Sequence, residues 1–366
     1  MQLIDATGMA AGYTLGLEPS GRELLVVVVK GTFHLPAGGG PARLHEAQQP
    51  LIMADTFTGA PGLSAPYSEV DFAPHKARCD ILLQGSAHAP GGRPAPRVPV
   101  GVRVGAWTKT FAVVGARSWQ TRLGGVAAGA PEPFVVKPIG YDGAFGGLDV
   151  HHPDPARHAA YDANPVGRGF HRHLNSAWVD GSPLPDTEEL ERPVTAPDVA
   201  YRPMALGPVG RGWLPRRQLA GTYDQAWLDH TFPFLPADFD DRYYQAAPPD
   251  QQIDYPAGGE PVTLVNLTPA GRTSFHLPAL TVPVTFFRRG RGHDQVAAYL
   301  DTLAIHADQG WFTMTWRASQ PLRRDIFEIP EVLAGSMPRG WWRARALGKT
   351  WHPSLAALVR SQRAGS

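Results

Sequence analysis

The chain has 366 residues, 34 basic and 33 acidic side chains and a formal charge of +1, so no global field draws in nucleic acid or an anionic membrane. Its 40 glycines and 37 prolines, about a fifth of the sequence, fall just short of low-complexity composition, and its 10 Trp, 15 Phe and 10 Tyr provide for a packed core. A single cysteine, Cys79, excludes a disulfide framework or a Cys-based metal site.

The N-terminal MQLIDATGMAAGYTLGLEPSGRELL has no basic stretch followed by an apolar core, so no signal peptide is expected. The longest aliphatic run, residues 24–29, is far too short to span a bilayer. A cytoplasmic protein is expected. ELLVVVVKGTFHL (23–35) and DILLQGS (80–86) read as strands, and Cys79 beside the latter reads as a small core residue. In VPVGVRVG, Val98, Val100, Val102 and Val104 alternate onto one face. With AWTKTFAVVG following, 98–114 reads as a hairpin whose first strand Pro99 pushes toward a sheet edge.

The segment from about 115 to 260 is rich in Pro and Gly and nearly devoid of periodicity. Its aromatic residues, among them Phe134, Phe170, Trp178, Trp213 and Phe239, predict irregular but packed structure rather than disorder. A short helix is expected near 222–229, with Leu219, Tyr223, Ala226 and Trp227 on one stripe. PVTLVNL (261–267), RTSFHLP (272–278) and TVPVTFF (281–287) read as further strands. YLDTLAIHADQGWFTMTWRAS (299–319) is the strongest hairpin, because Gly310 supplies the positive φ its short loop needs. Residues 353–363 predict a helix with Pro353 at its start and Arg360 and Arg363 at its end. Acidic residues stop at Glu331, so the C-terminal end is cationic.

The stretch 141–170, YDGAFGGLDVHHPDPARHAAYDANPVGRGF, holds five glycines and four aspartates. GAFGG lacks the Lys-Ser/Thr of a P-loop and the third glycine of a dinucleotide fingerprint. His151, His152, His158, His171 and His173 suggest a metal, but Pro153 and Pro155 keep HHPDPARH from forming one helix face. Asp142, Asp149 and Asp240 offer paired carboxylates for a sugar hydrolase; the simpler reading is that each closes a turn through its own backbone. Arg288, Arg289 and Arg291 form a Gly-flanked basic loop. Trp341 and Trp342 beside Arg343 and Arg345 have the composition of an interface hot spot, or else both Trp pack onto the body.

YDGAFGGLD (141–149), NPVGRGF (164–170), GPVGRGWLPRRQLAGTYDQAWL (207–228), FPFLPADFDDRYYQAAPPDQ (232–251) and GGEPVTLVNLTPAG (258–271) occur in this order. They resemble the landmarks of a bacterial domain family of unknown function whose genes lie beside those of the type VI secretion spike. The resemblance covers roughly 20–320. Many members have Tyr-Glu-Arg where this chain has Tyr141-Asp142-Gly143. The resemblance implies a non-enzymatic adaptor or chaperone that loads a toxic effector onto the spike through a PAAR or VgrG protein, without metal or cofactor.

The expected fold is mainly β, an antiparallel sandwich-like or multi-sheet architecture with the large irregular middle and a few helices. Residues 1–320 are expected to form one domain and 321–366 a basic extension. Gly143, Gly146, Gly147, Gly167 and Gly169 are expected to supply φ values other residues resist. Asp149, Asn164 and Asp224 then tie the turns, Arg168 bridges two loops, Phe145, Phe170, Tyr223 and Trp227 pin the loop to the body, and Tyr141 belongs to the same structural loop. The expected partner surface comprises Arg288, Arg289, Arg291, Trp341, Trp342, Arg343 and Arg345. The competing readings are a carbohydrate hydrolase using Asp142, Asp149 or Asp240, and a metal-dependent binder using His151, His152 or His171.

Overall fold

A computed structural model describes every residue except 37, 124, 291, 365 and 366, and only the main chain at 361, 362 and 364. The main strands are β1 (Gln2–Ala6), β2 (Ala10–Leu17), β3 (Glu23–His34), β4 (Cys79–His88), β5 (Arg97–Val104), β6 (Trp107–Val114) and β7 (Val136–Ile139). After the irregular middle come β8 (Pro261–Val265), β9 (Arg272–His276), β10 (Pro283–Phe287), β11 (His293–Ala297), β12 (Tyr299–His306), β13 (Trp311–Pro321) and β14 (Glu331–Gly335). The helices are α1 (Ser176–Val179), α2 (Gln225–His230), α3 (Arg339–Ala346) and α4 (Leu355–Ala364). The protein is mainly β, with several mostly antiparallel sheets and few helices, one of them near the C-terminus.

Three sheets share one core. The largest runs β7-β4-β12-β13-β3-β2, with the two-residue strand Gln252–Ile253 added beside β4. A second runs Thr187–Glu188, β6, β5, β8, β9, and a third β1-β14-β10-β11. Val27 and Val29 of β3, Leu303 and Ile305 of β12, and Phe312 and Met314 of β13 meet Val98, Val100, Val102 and Val104 of β5 in the main core. The β5 valines share a face because strand side chains alternate. Residues 24–29 do not alternate, and the reason is burial on both faces: Leu25, Val27 and Val29 enter the main core, while Leu24, Val26 and Val28 pack under Leu51 and Phe72.

The 98–114 hairpin forms as β5 and β6, but β5 is not an edge strand, since β8 lies on its other side. Pro99 is tolerated because β8 ends at Val265, opposite Gly101. Asn266 then turns at φ 53° and donates its side-chain amide to the Pro99 carbonyl. No ladder bond there requires the N–H that proline lacks. The 299–319 hairpin forms as β12 and β13, with Gly310 at φ 75°. The 218–232 segment is split: residues 216–220 make a 3-10 turn, Gly221 breaks it at φ 82°, and α2 begins after Asp224.

Residues 321–335 belong to the body. β14 lies between β1, which it pairs in parallel, and β10, and residue 320 itself lies within β13. α3 was not expected from sequence. In the middle segment, Trp119, Phe145, Val179, Leu184 and Tyr201 form one satellite core, and Tyr141, Ala144, Ala205 and Trp213 another.

Candidate functional site

The glycine-rich segment folds into a hub of crossing loops. Phe145-Gly146 pairs in parallel with Arg168-Gly169. Gly146, Gly147 and Gly169 have φ of 147°, 106° and 91°, as expected for glycine. Gly143 and Gly167 do not have positive φ; Gly167 is needed for close approach, because a Cβ there would lie 2.4 Å from the Ala144 carbonyl oxygen. Asn164 is fully buried and donates Nδ2 to the carbonyls of Tyr141 (2.9 Å) and Phe145 (3.1 Å). Its own carbonyl accepts from Gly147 N–H at 2.9 Å. Arg168 bridges two loops, donating Nε to the Asp142 carbonyl (3.2 Å) and facing Asp186 at 3.4 Å. Tyr141 packs edge-on to Trp213, and Phe145 edge-on to Tyr161 and Tyr201.

The carboxylates are engaged, Asp149 and Asp240 in part by donors of their own turns and Asp142, contrary to expectation, by the distant segment 58–65. Asp149 accepts from the N–H groups of His151, Arg172 and His173 at 3.3, 2.9 and 2.8 Å. Burial alone would raise its pKa, but these backbone donors outweigh burial and hold it below the ordinary value. Asp142 accepts from Thr58 Oγ1 (2.6 Å) and Ala65 N–H (2.9 Å). Asp240 is bound by Arg242. The histidines point to separate neighbours: His171 Nε2 meets Ser182 Oγ at 3.0 Å, His158 Nε2 the His152 carbonyl, and His173 Nε2 the Arg157 carbonyl. Burial lowers the His171 pKa. Among the described residues the potential metal-ligand triad lies elsewhere. His34, His45 and Glu46 bring one ligand atom each within 4.8 Å of one another.

Tyr223, Asp224 and Trp227 are not part of the hub. Asp224 caps α2 by accepting from Trp227 N–H at 2.8 Å, and Trp227 packs edge-on to Tyr223 and Phe232. Its indole N–H donates to the Phe234 carbonyl at 3.0 Å. These rings form an outer lobe in which Tyr223 is 53% exposed, Phe232 63% and Phe234 47%. Helical spacing puts Trp227 on one stripe with Leu219, Tyr223 and Ala226, but spacing says nothing about whether a second surface meets that stripe.

The two candidate partner segments, about fifty residues apart, come together. Trp341 and Trp342 of α3 pack on Phe287 at the end of β10, with ring centroids 6.2 and 5.8 Å away, and Trp342 also meets His293. Arg345 lies over the Phe287 ring at 3.7 Å and pairs with Glu331. Arg288 is engaged by Asp294 and Glu328. Arg289 and Arg343 are exposed, and Arg291 lies outside the described residues. The two tryptophans thus anchor α3 to the body while remaining half-buried.

On its far face the largest sheet is covered and carries buried polar side chains beside the apolar Leu24, Val26 and Val28. A cavity of about 270 Å³ lies there, lined in part by Lys30, Tyr67, Glu69, His306, Thr313 and Arg317. Lys30–Asp71, Lys76–Asp80 and Arg317–Asp301 pair at 2.5, 2.7 and 2.5 Å. Burial pulls the Lys76 pKa down, but Asp80 and Asp301 more than restore it, so its ammonium stays charged. His306 stacks on Trp311 at 3.8 Å, and burial lowers its pKa to about 4. Burial pushes the Cys79 thiol well up, which makes it an inert core residue.

With this geometry in place, the comparison with known proteins adds one finding. Residues 20–317 match the family described as "uncharacterized protein conserved in bacteria (DUF2169)". The chain belongs to this family. No curated protein and no solved structure matches it. The DUF2169 match takes in the hub, the α2 lobe and the covered sheet face, and leaves β1, β2, β14, α3 and α4 outside. No helix among the described residues is long and apolar enough to cross a membrane.

Proposed function

We propose that this chain is a non-enzymatic adaptor that binds a type VI secretion effector and helps to load it onto a PAAR or VgrG spike protein. The observation that carries this reading is the α2 lobe. Tyr223, Phe232 and Phe234 stand exposed around Trp227 on a short helix capped by Asp224, and clustered exposed aromatic residues are characteristic of surfaces that receive another protein. The lobe is held by its own hydrogen bonds, so docking costs little ordering. The exposed Arg289 and Arg343 beside Trp342 add a second, cationic contact area. The carboxylates that a hydrolase would use, Asp142, Asp149 and Asp240, are engaged with backbone donors, Thr58 and Arg242.

The test is co-purification of the tagged chain with the effector and PAAR or VgrG proteins encoded beside its gene. The wild type retains one of them, and Phe232→Ser with Phe234→Ser releases it while the thermal melt is unchanged. Retention of none of these proteins by the wild type refutes the adaptor reading.

A further inference from the structure

The sheets expose their edges unequally. β1 carries Asp5, β7 Lys137 and Pro138, β9 Arg272 and His276, and β11 His293 and Asp294. Charges, proline and shortness are the usual means of keeping a strand edge from pairing with another chain. β2 has none of them. It is eight residues long, AAGYTLGL, with no charge and no proline, and its register with β3 is unbroken from Ala10–Lys30 to Leu17–Glu23.

The peptide groups on its free side are identifiable. Thr32 and His34 of β3 direct their N–H groups away from β13, to Gln48 Oε1 (2.8 Å) and the Arg43 carbonyl (2.9 Å). Alternation then makes the even-numbered residues of β3 face β2, where they meet Ala10, Gly12, Thr14 and Gly16. Ala11, Tyr13, Leu15 and Leu17 therefore turn their N–H and C=O groups outward. Among the described residues these groups receive one weak bond, from Thr14 Oγ1 to the Leu15 carbonyl at 3.3 Å. Tyr13 and Leu15 are also the exposed large side chains of the strand, at 40% and 46%.

We infer that β2 pairs antiparallel with β2 of a second copy of this chain, about a two-fold axis at Thr14. What selects a second copy is self-complementarity. An axis there sets Tyr13 against Leu15 of the other copy and Ala11 against Leu17, so the outward-facing residues of each strand meet those of the other. Tyr13 and Leu15 lie on one face and cover each other twice, as an isologous contact requires. Glu18 comes opposite Ala10, so no like charges meet. The four outward pairs exchange about eight hydrogen bonds, and the largest sheet becomes continuous through both copies.

Sedimentation equilibrium of the full chain over a concentration series tests this. The wild type sediments at twice the chain mass and dissociates on dilution. Tyr13→Pro removes an outward N–H and no bond to β3, and Leu15→Lys places a charge against Tyr13 of the other copy; each weakens dimerisation about tenfold or more. Tyr13→Phe leaves it unchanged. Hydrogen exchange gives a readout independent of any variant: in the wild type the amides of Ala11, Tyr13, Leu15 and Leu17 become protected as concentration rises. A wild type that is monomeric throughout, a dimer that Leu15→Lys leaves intact, or a dimer whose four amides exchange freely overturns the inference. Protection that arises only when a different protein is added also overturns it, in favour of heterologous strand addition.

Discussion

Replacing Asn164 by alanine removes the one side chain that closes the hub from inside. Its Nδ2 bonds to the Tyr141 and Phe145 carbonyls are lost, and with no exposure at the site water does not replace them. The Phe145 carbonyl is left unpaired, at about 1–3 kcal/mol, while the Tyr141 carbonyl keeps the Ala144 N–H at 3.1 Å and loses only its second bond. Part of that is offset, because Asn164 Oδ1 is itself buried without a partner in the wild type and the variant removes it. The net cost is about 1–3 kcal/mol. Asn164→Asp keeps the shape but turns a donor into an acceptor facing two carbonyls, so it costs more than alanine. Because so long a chain need not unfold in one step, native-state hydrogen exchange is the suitable assay. The Gly147, Arg168 and Phe170 amides, bonded to the carbonyls of Asn164, Ala144 and Gly146, report opening of the hub. At about 1.4 kcal/mol per factor of ten, their protection drops roughly 5-fold to 150-fold, while amides of β3 and β13 are unaffected. A loss below threefold, or an aspartate variant as stable as the wild type, would refute the view that Asn164 holds the loops together.

Gly146→Ala combines φ 147° with a Cβ placed 2.1 Å from the Asn164 carbonyl oxygen, so it destabilises by about 3 kcal/mol or more. Gly91→Ala, at φ 63° in open space, costs only about 1 kcal/mol, and thermal melts of the two variants separate strain from collision. His306 titrates near 4 in the folded chain against an ordinary 6.5, so between those values the unfolded chain binds the extra proton. Stability is therefore unaffected by His306 above that window and falls as pH drops through it, by about 1.4 kcal/mol per pH unit and roughly 3 kcal/mol in all. His306→Gln flattens this slope in denaturation measured at successive pH values. Asp301→Ala leaves the Arg317 guanidinium, 4% exposed, without its carboxylate, at a cost of about 3–5 kcal/mol. Arg317→Met with Asp301→Leu costs less than that, by the same measurement, although the Asp71 and Ala73 carbonyls lose their donor.

Much of the β architecture was legible in local pattern. The alternation of Val98 to Val104, Gly310 between two alternating runs, and Pro353 ahead of an apolar stripe each state a periodicity or a backbone requirement that neighbouring residues alone impose. β1 and β2 were not legible, because QLIDA and AAGYTLGL have weak strand preference and acquire their conformation from pairing with β14 and β3. In the candidate site, the turn-closing role of Asp224 and the His151 bond of Asp149 were readable, since Asx side chains close turns near themselves, whereas the bonds of Asn164 to Tyr141 and Phe145 and of Asp149 to Arg172 and His173 join segments distant along the chain. The separation of Tyr223 and Trp227 from the hub was not readable, and neither was the meeting of Phe287 with Trp342 or of His34 with His45 and Glu46.

The amino-acid sequence by itself determined that this is a β-rich chain with a rigid, glycine-shaped loop hub, because those features follow from side-chain alternation and from conformations that few residues tolerate. The tertiary structure alone decided which aromatic residues face solvent, which charges are buried in pairs on the covered sheet face, and which strand edge is left open. Each of these depends on what comes to lie opposite a residue in space, and contact between segments distant along the chain leaves no periodic trace in either of them.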